Sequence, residues 1–331
     1  MEKSKTLYCE YAFLEDFSKS CPKRSDDPLE DPVSSWRSAF KFIQQSERVI
    51  GKLSLSDYKE INKTNPLLWL LIKGSRPGNF SSTSEILNEK LNNKKSNSLF
   101  LSLLSEEKRV SLSKALGVLV LGKRELLNFD IIFRDLTIPI PKGGKYSSWN
   151  DIEFPFYVNY SNSLLIQDNY ILKDEIKKKN LITILDVILP EKTLITYSIS
   201  IFTMIEKNEK AIYVDLVTKI GEIRPSLDFK VTLYKVYKDE FHARRILTNN
   251  LLICSEIGFD VFNKKNEARI ETDVRCISPY VPLGLSLVEN MMNGIKRIEK
   301  RGLRFEFNYW GDETRENRLI SYYLENVDDV G

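Results

Sequence analysis

The chain has 331 residues, 42% hydrophobic and 29% charged, with 17 Phe, 15 Tyr and 4 Trp. That apolar share excludes an intrinsically disordered chain, and the length suits two cores better than one. A formal net charge of +3, from 49 basic and 46 acidic residues, excludes a bulk polycation. Any electrostatic footprint for nucleic acid must therefore be local.

Cys9, Cys21, Cys254 and Cys276 are scattered and form no CxxC pair, and His242 is the single histidine. A Cys/His zinc centre would need most of these residues to converge, so no metal and no other cofactor is expected. The opening MEKSKTLYCEYAF lacks the apolar core of a signal peptide. No window reaches the roughly 18 apolar residues of a membrane span. The chain reads as soluble, reduced and cytoplasmic, with no membrane partner.

In chain order, Leu7 to Phe17 reads as a strand leading into a helix, and SKSCPKRSDDPLEDPVSS as loop. Trp36 to Ile50 carries Phe40, Ile43, Val49 and Ile50 at roughly helical spacing, and Ser56-Asp57 starts a further helix that stops before Pro66. LLWLLI is short enough to be either helix or strand. Leu99–Leu104 and Leu112–Leu116 read as helical, and Gly117–Leu121 as a buried strand. Pro141 to Asp151 reads as a linker between residues 1–150 and 151–331, with Gly143-Gly144-Lys145 a turn, since it lacks P-loop spacing. The second half then alternates: strand Ser163–Ile171, helix Asn180–Leu189, strand Leu194–Ile205, helix Ala211–Ile223 with Val214, Val217 and Ile220 on one side. Strands Phe229–Val236, Arg245–Leu247 and Leu251–Ile257 and helix Leu283–Lys300 complete it. This order implies an α/β fold of two domains: a C-terminal mixed sheet flanked by helices, and a smaller N-terminal domain that is α/β or mostly helical.

His242 lies between two of these strands, with Arg244 two residues on and Asn249 seven on. Imidazole is the side chain that can serve as base, acid or nucleophile near neutral pH, although a lone histidine can equally cap a strand. The element order and this spacing resemble one lobe of the phospholipase D superfamily over roughly residues 155–290. Its signature is His-x-Lys-x4-Asp, with Asn in place of the acid in tyrosyl-DNA phosphodiesterases. The resemblance implies a metal-independent, nucleic-acid-directed phosphodiesterase or nuclease with His242 as nucleophile, Arg244 beside the phosphate and Asn249 orienting the imidazole. On a strand, residues two apart share a face, so His242 and Arg244 can reach one phosphate. Ser255, on the next strand, is a further donor to substrate. Asp168, at the end of the first strand, is a substrate-site residue or a turn-forming Asp. Arg245 is expected on the opposite face, partnered by Asp239 or Glu240.

The sequence departs from the family in having Arg for Lys, Asn for the acid, and Glu256-Ile257 where the family has Gly-Ser. The family uses two motif copies and this chain has one, so activity implies a homodimer with two-fold symmetry. The alternative is an inactive module that binds nucleic acid or a protein partner, and fold-level analogy extends to prokaryotic host defence.

Two other features carry chemistry. LYCEYAFLEDF loosely resembles the first strand of PIN-type nucleases, with Glu10 at the strand end and Asp16, Asp130 or Asp135 as companions. Lys296, Arg297, Lys300, Arg301 and Arg304, followed by Phe305, Phe307, Tyr309 and Trp310, suit phosphate contact and base stacking, or a solvated helix end running into a buried strand. Lys177 to Lys179 reads as a solvated loop.

Overall fold

The computed structural model describes residues 6–22, 32–53, 55–82, 85, 98–128, 135–205, 208–238, 240–241, 243–302, 309–312, 314 and 316–324, without the side chains of 32, 33, 55–57, 59, 98, 299–302 and 324. The chain forms two compact units, each with its own sheet: residues 1–113 with 118–134, and residues 114–117 with 135–331.

The first unit is α/β. Its strands are β1 (Thr6–Glu10), β2 (Glu47–Gly51), β3 (Arg76–Gly78), β4 (Ser98–Leu101) and β5 (Leu119–Leu121). They lie all-parallel in the order β3-β2-β1-β4-β5. The crossovers carry α1 (Tyr11–Lys19), α2 (Pro32–Gln45), α3 (Leu55–Thr64), α4 (Pro66–Ile72) and α5 (Glu106–Leu116), and α6 (Lys123–Leu127) follows β5. LLWLLI is helix α4: Asn65 caps it by accepting from Leu68 N at 3.0 Å, and Pro66 starts it.

Two helical expectations are corrected in this unit. The helix from Trp36 ends at Gln45, and Glu47–Gly51 is strand β2. Its apolar face, Trp36, Ala39 and Ile43, is spent by that point. Arg48 Nη1 then bonds the Ile43 and Gln44 carbonyls, satisfying orphan groups at the helix end. Ser98–Leu101 is likewise strand β4, paired to β1, because Leu99, Phe100 and Leu101 are all buried in a parallel sheet covered on both faces.

The second unit is a mixed eight-stranded sheet in the order β13-β9-β8-β7-β10-β11-β12-β6. Its strands are β6 (Leu136–Ile140), β7 (Ser163–Gln167), β8 (Tyr197–Thr203), β9 (Phe229–Lys235), β10 (Arg244–Thr248), β11 (Leu252–Ser255), β12 (Thr272–Ile277) and β13 (Tyr309–Gly311). β7, β8 and β9 are parallel, joined through α7 (Glu175–Ile188) and α8 (Glu209–Ile223). The remaining pairings are antiparallel.

One sheet face packs on α9 (Pro282–Gly302) and α10 (Arg318–Leu324), in a core that joins Leu165, Phe202, Tyr234, Leu247 and Leu252 to Val288, Met291 and Ile295. The crossovers between the parallel strands carry α7 and α8, and α7 buries Leu181, Ile184, Leu185 and Ile188. In α8 the buried residues are Leu216 and Ile220, and Val214 is exposed, so the apolar side read from the sequence is rotated.

Asn317 locks this unit. It is buried, and its Nδ2 donates to the Leu164 carbonyl and Ser200 Oγ, both at 3.1 Å. Its Oδ1 accepts from Ser163 Oγ at 2.8 Å and Leu319 N at 3.0 Å. Asn317→Ala strands these buried groups, so urea unfolding should show a loss of about 1–3 kcal/mol in the second unit; an unchanged midpoint would contradict this role.

Candidate functional site

The register of the sheet defines a site at one end of β7 and β10. Arg245 pairs with Gln167 and Ile246 with Ile166. Carried one step further, this register sets Arg244 opposite Asp168, the residue that follows β7. Residues opposite one another in a ladder point to the same face, here the face that carries α7. Arg245 points the other way, as expected, and donates to the Leu287 carbonyl of α9 at 2.9 Å. The carboxylate expected for Arg245 is not supplied by Glu240, whose Oε2 accepts from Tyr237 N at 2.7 Å. Asp239 and His242 lie outside the described residues. The carbonyls of Phe241 and Ala243 accept from Asn169 at 2.8 Å and from Gln167 at 3.0 Å.

Around Arg244 the loop after β11 supplies a second wall. The Arg244 guanidinium donates to the Glu256 carbonyl, and its side chain passes over Gly258. A Cβ placed on Gly258 would lie 3.1 Å from Arg244 Cδ, 3.3 Å from its Nε and 3.1 Å from Asp260 Oδ1. Gly258 also has φ +103°, a backbone region that only glycine adopts readily. Ser255 Oγ donates to the Gly258 carbonyl at 2.6 Å, so Ser255 shapes this turn.

Asp260 is the charge at the centre. Its carboxylate is about one-tenth exposed and lies 3.4 Å from Lys177 Nζ and 3.0 Å from an Arg269 Nη. Lys177 reaches it from the first turns of α7, which Asp174 caps by accepting from Ile176 N and Lys177 N. Lys177 Nζ also lies 5.3 Å from the centroid of the Tyr170 ring, and Lys173 Nζ lies 5.6 Å from it. The hairpin carrying Arg269 is bound to α7 through Asn180, which exchanges hydrogen bonds with Phe262 at 2.8 and 3.1 Å, and through Lys179 and Asn266 at 2.7 Å.

Asp168 is buried and accepts from Tyr170 N at 2.9 Å. Burial pushes its carboxyl above the usual carboxylate value, and the Asp260 charge adds to this; the Tyr170 N–H, the Arg244 guanidinium and the Phe259 N–H oppose it. Three cations and two carboxyl groups thus share one small region, an arrangement suited to holding a phosphate or carboxylate group.

The structure does not bring Asn249 to this site. Asn249 follows the far end of β10, five residues from Arg244, or roughly 16 Å along a strand. It is buried there, its Oδ1 accepting from Asn162 N at 2.9 Å and Ser163 N at 3.1 Å, and its Nδ2 donating to Asn162 Oδ1 at 3.1 Å. Lys296 and Arg297 lie on α9, while the side chains of Lys300 and Arg301, together with Arg304, Phe305 and Phe307, are outside the described residues. Tyr309 and Trp310 belong to β13, where the Trp310 indole donates to Glu209 at 3.3 Å.

In the first unit, Glu10 ends β1 beside β4, where the strand order reverses and ligands of parallel sheets bind. Its carboxylate accepts from Ser102 Oγ at 3.0 Å and Leu103 N at 2.9 Å. Asp16 pairs with Lys123 at 2.6 Å, Asp135 belongs to the second unit and pairs with Arg275, and Asp130 is outside the described residues. Among the described residues no three Asp, Glu, His or Cys groups converge as metal ligands, and no helix is long and apolar enough to cross a membrane.

Lys177, Gly258, Asp260 and Arg269 are site residues that the sequence reading missed. Two signals pointed to them. Lys177 stands four and seven residues before Leu181 and Ile184, on the buried face of α7. Asp260 is an acid enclosed by Phe259, Val261 and Phe262, a context in which a charge needs a partner.

The raised Asp168 pKa gives a signed prediction. A carboxyl that holds its proton more tightly when folded contributes full stability below the unfolded value of 3.8, and that contribution falls as pH rises toward the folded pKa. Asp168→Asn should therefore gain urea resistance over the unsubstituted protein as pH is raised from about 4 to 7. A pH-independent difference would contradict a buried, proton-retaining carboxyl. Asn249→Ala, which leaves two buried backbone N–H groups without their acceptor, should cost about 2 kcal/mol or more by the same measurement.

No curated protein matches the chain. Residues 147–275, which span Asp168, Lys177, Arg244, Asp260 and Arg269, match the family described as the phospholipase D-like domain at the C-terminus of MIT. The C-terminal half of this chain therefore carries a phospholipase D-like domain.

Proposed function

We propose that the phospholipase D-like unit is a phosphodiester-binding module directed at nucleic acid, with Arg244, Lys177 and Arg269 as its phosphate contacts. A guanidinium carries five N–H groups, of which the Glu256 carbonyl takes one from Arg244. Arg269 is close to half exposed, and Lys173, Lys179, Lys264 and Lys265 are exposed as well. The observation that carries the non-catalytic form of this reading is Asn249. With its Oδ1 bound to the Asn162 and Ser163 N–H groups at the far end of β10, it does not orient a group beside Arg244. A two-imidazole displacement also needs a second histidine, and the chain has one.

A second reading is a metal-independent phosphodiesterase that uses a His242 phosphoenzyme intermediate in a homodimer. It is favoured by the hydrogen bonds that Gln167 and Asn169 donate to the carbonyls of Ala243 and Phe241, which hold these two residues at the Asp168 end of β7.

Binding and cleavage of end-labelled DNA and RNA by the full chain separate the two. The binding reading expects affinity that falls linearly in log–log form with salt. Arg244→Ala should weaken it about tenfold and lower the salt slope by about 1, while His242→Ala should leave it unchanged. Cleavage abolished by His242→Ala would overturn the non-catalytic form, and salt-insensitive retention would overturn nucleic acid as the ligand.

A further inference from the structure

A cavity of about 210 Å³ opens beside the phosphate contacts, lined among the described residues by Asn169, Tyr170, Leu172, Lys173, Met204, Ile205 and Ile212. It lies at the carboxyl ends of the parallel strands β7 and β8, the side on which such sheets receive ligands. Tyr170 joins it to the cationic site, since Lys177 lies 5.3 Å from that ring and also reaches Asp260. Lys173, exposed and 5.6 Å from the same ring, stands among the lining residues. The wall pairs an aromatic ring and aliphatic groups with an amide and an ammonium. A lipid chain needs a wholly apolar wall, whereas a nucleobase offers an apolar π-face and a polar edge.

Resting on the nucleic-acid reading above, we infer that this cavity receives one unstacked base of a single-stranded nucleic acid whose phosphates lie along Lys173, Lys177, Arg244 and Arg269. The base packs against Tyr170, Leu172, Met204 and Ile212. A duplex keeps its bases stacked and cannot fill the cavity without extruding one.

Fluorescence anisotropy on the full chain tests this with three probes: a labelled single strand, the same strand with abasic sites at equal phosphate count, and its duplex, which carries about twice as many phosphates. The intact strand should bind about tenfold or more tightly than the abasic strand or the duplex. Ile212→Trp, which fills the cavity, should remove that preference while leaving affinity for the abasic strand unchanged. Because the abasic comparison uses the unsubstituted protein, it decides the matter even where a variant fails to fold. Equal binding of intact and abasic strands overturns the base pocket and leaves phosphate binding standing. Failure of every strand to bind overturns both. Binding to phosphatidylglycerol vesicles that Ile212→Trp abolishes, with no base preference, overturns the inference in favour of an acyl occupant.

Discussion

A buried carboxylate must be paired, and the pairing of Asp260 organises one end of the second unit. Lys177 comes to it from a helix, Arg269 from a hairpin, and the Arg244 side chain passes within reach over Gly258. Without that charge, three cations from separate parts of the chain would repel one another. Without the cations, an acid held among Phe259, Val261 and Phe262 would be costly to bury. Gly258 belongs to the same constraint, because the turn needs positive φ and the Arg244 side chain occupies the space a Cβ would need.

The two ends of β10 consequently do different work. At one end, Arg244 and Asp168 face α7 and collect charge. At the other, Asn249 is a buried crosslink to the start of β7, and Asn317 binds strands β7 and β8 to α10 close by. Arg244 and Asn249, five residues apart in a short motif, therefore divide between a charged cluster and a structural crosslink. The antiparallel pairing of β10 with β7 is what separates them, since it runs the chain back along its neighbour over the length of a strand.

Much of the fold was legible locally. The alternation of strand and helix from Ser163 to Val236, the helix boundary at Pro66 and the long helix over Leu283–Lys300 all follow from spacing and terminators. What misled was local ambiguity. Glu47–Gly51 and Ser98–Leu101 continue apolar spacing that fits a helix, and both became strands because β1 offered a partner on each side. β12 gave no expected strand, yet it binds β11 to β6, a strand that lies more than 130 residues before it and contains Pro139.

The sequence by itself determined which segments repeat with a period of 3.6 or 2, where prolines stop them, and that one imidazole serves the whole chain. These follow from backbone geometry and near neighbours, which every stretch carries with it. The tertiary structure alone decided that Lys177 of an apparent loop run meets Asp260, that Arg244 stands opposite Asp168, and that Asn249 bonds a backbone 87 residues away. Such outcomes depend on strand register and on how a buried charge finds its counter-charge. Both are settled between segments distant in the chain, and no local pattern records them.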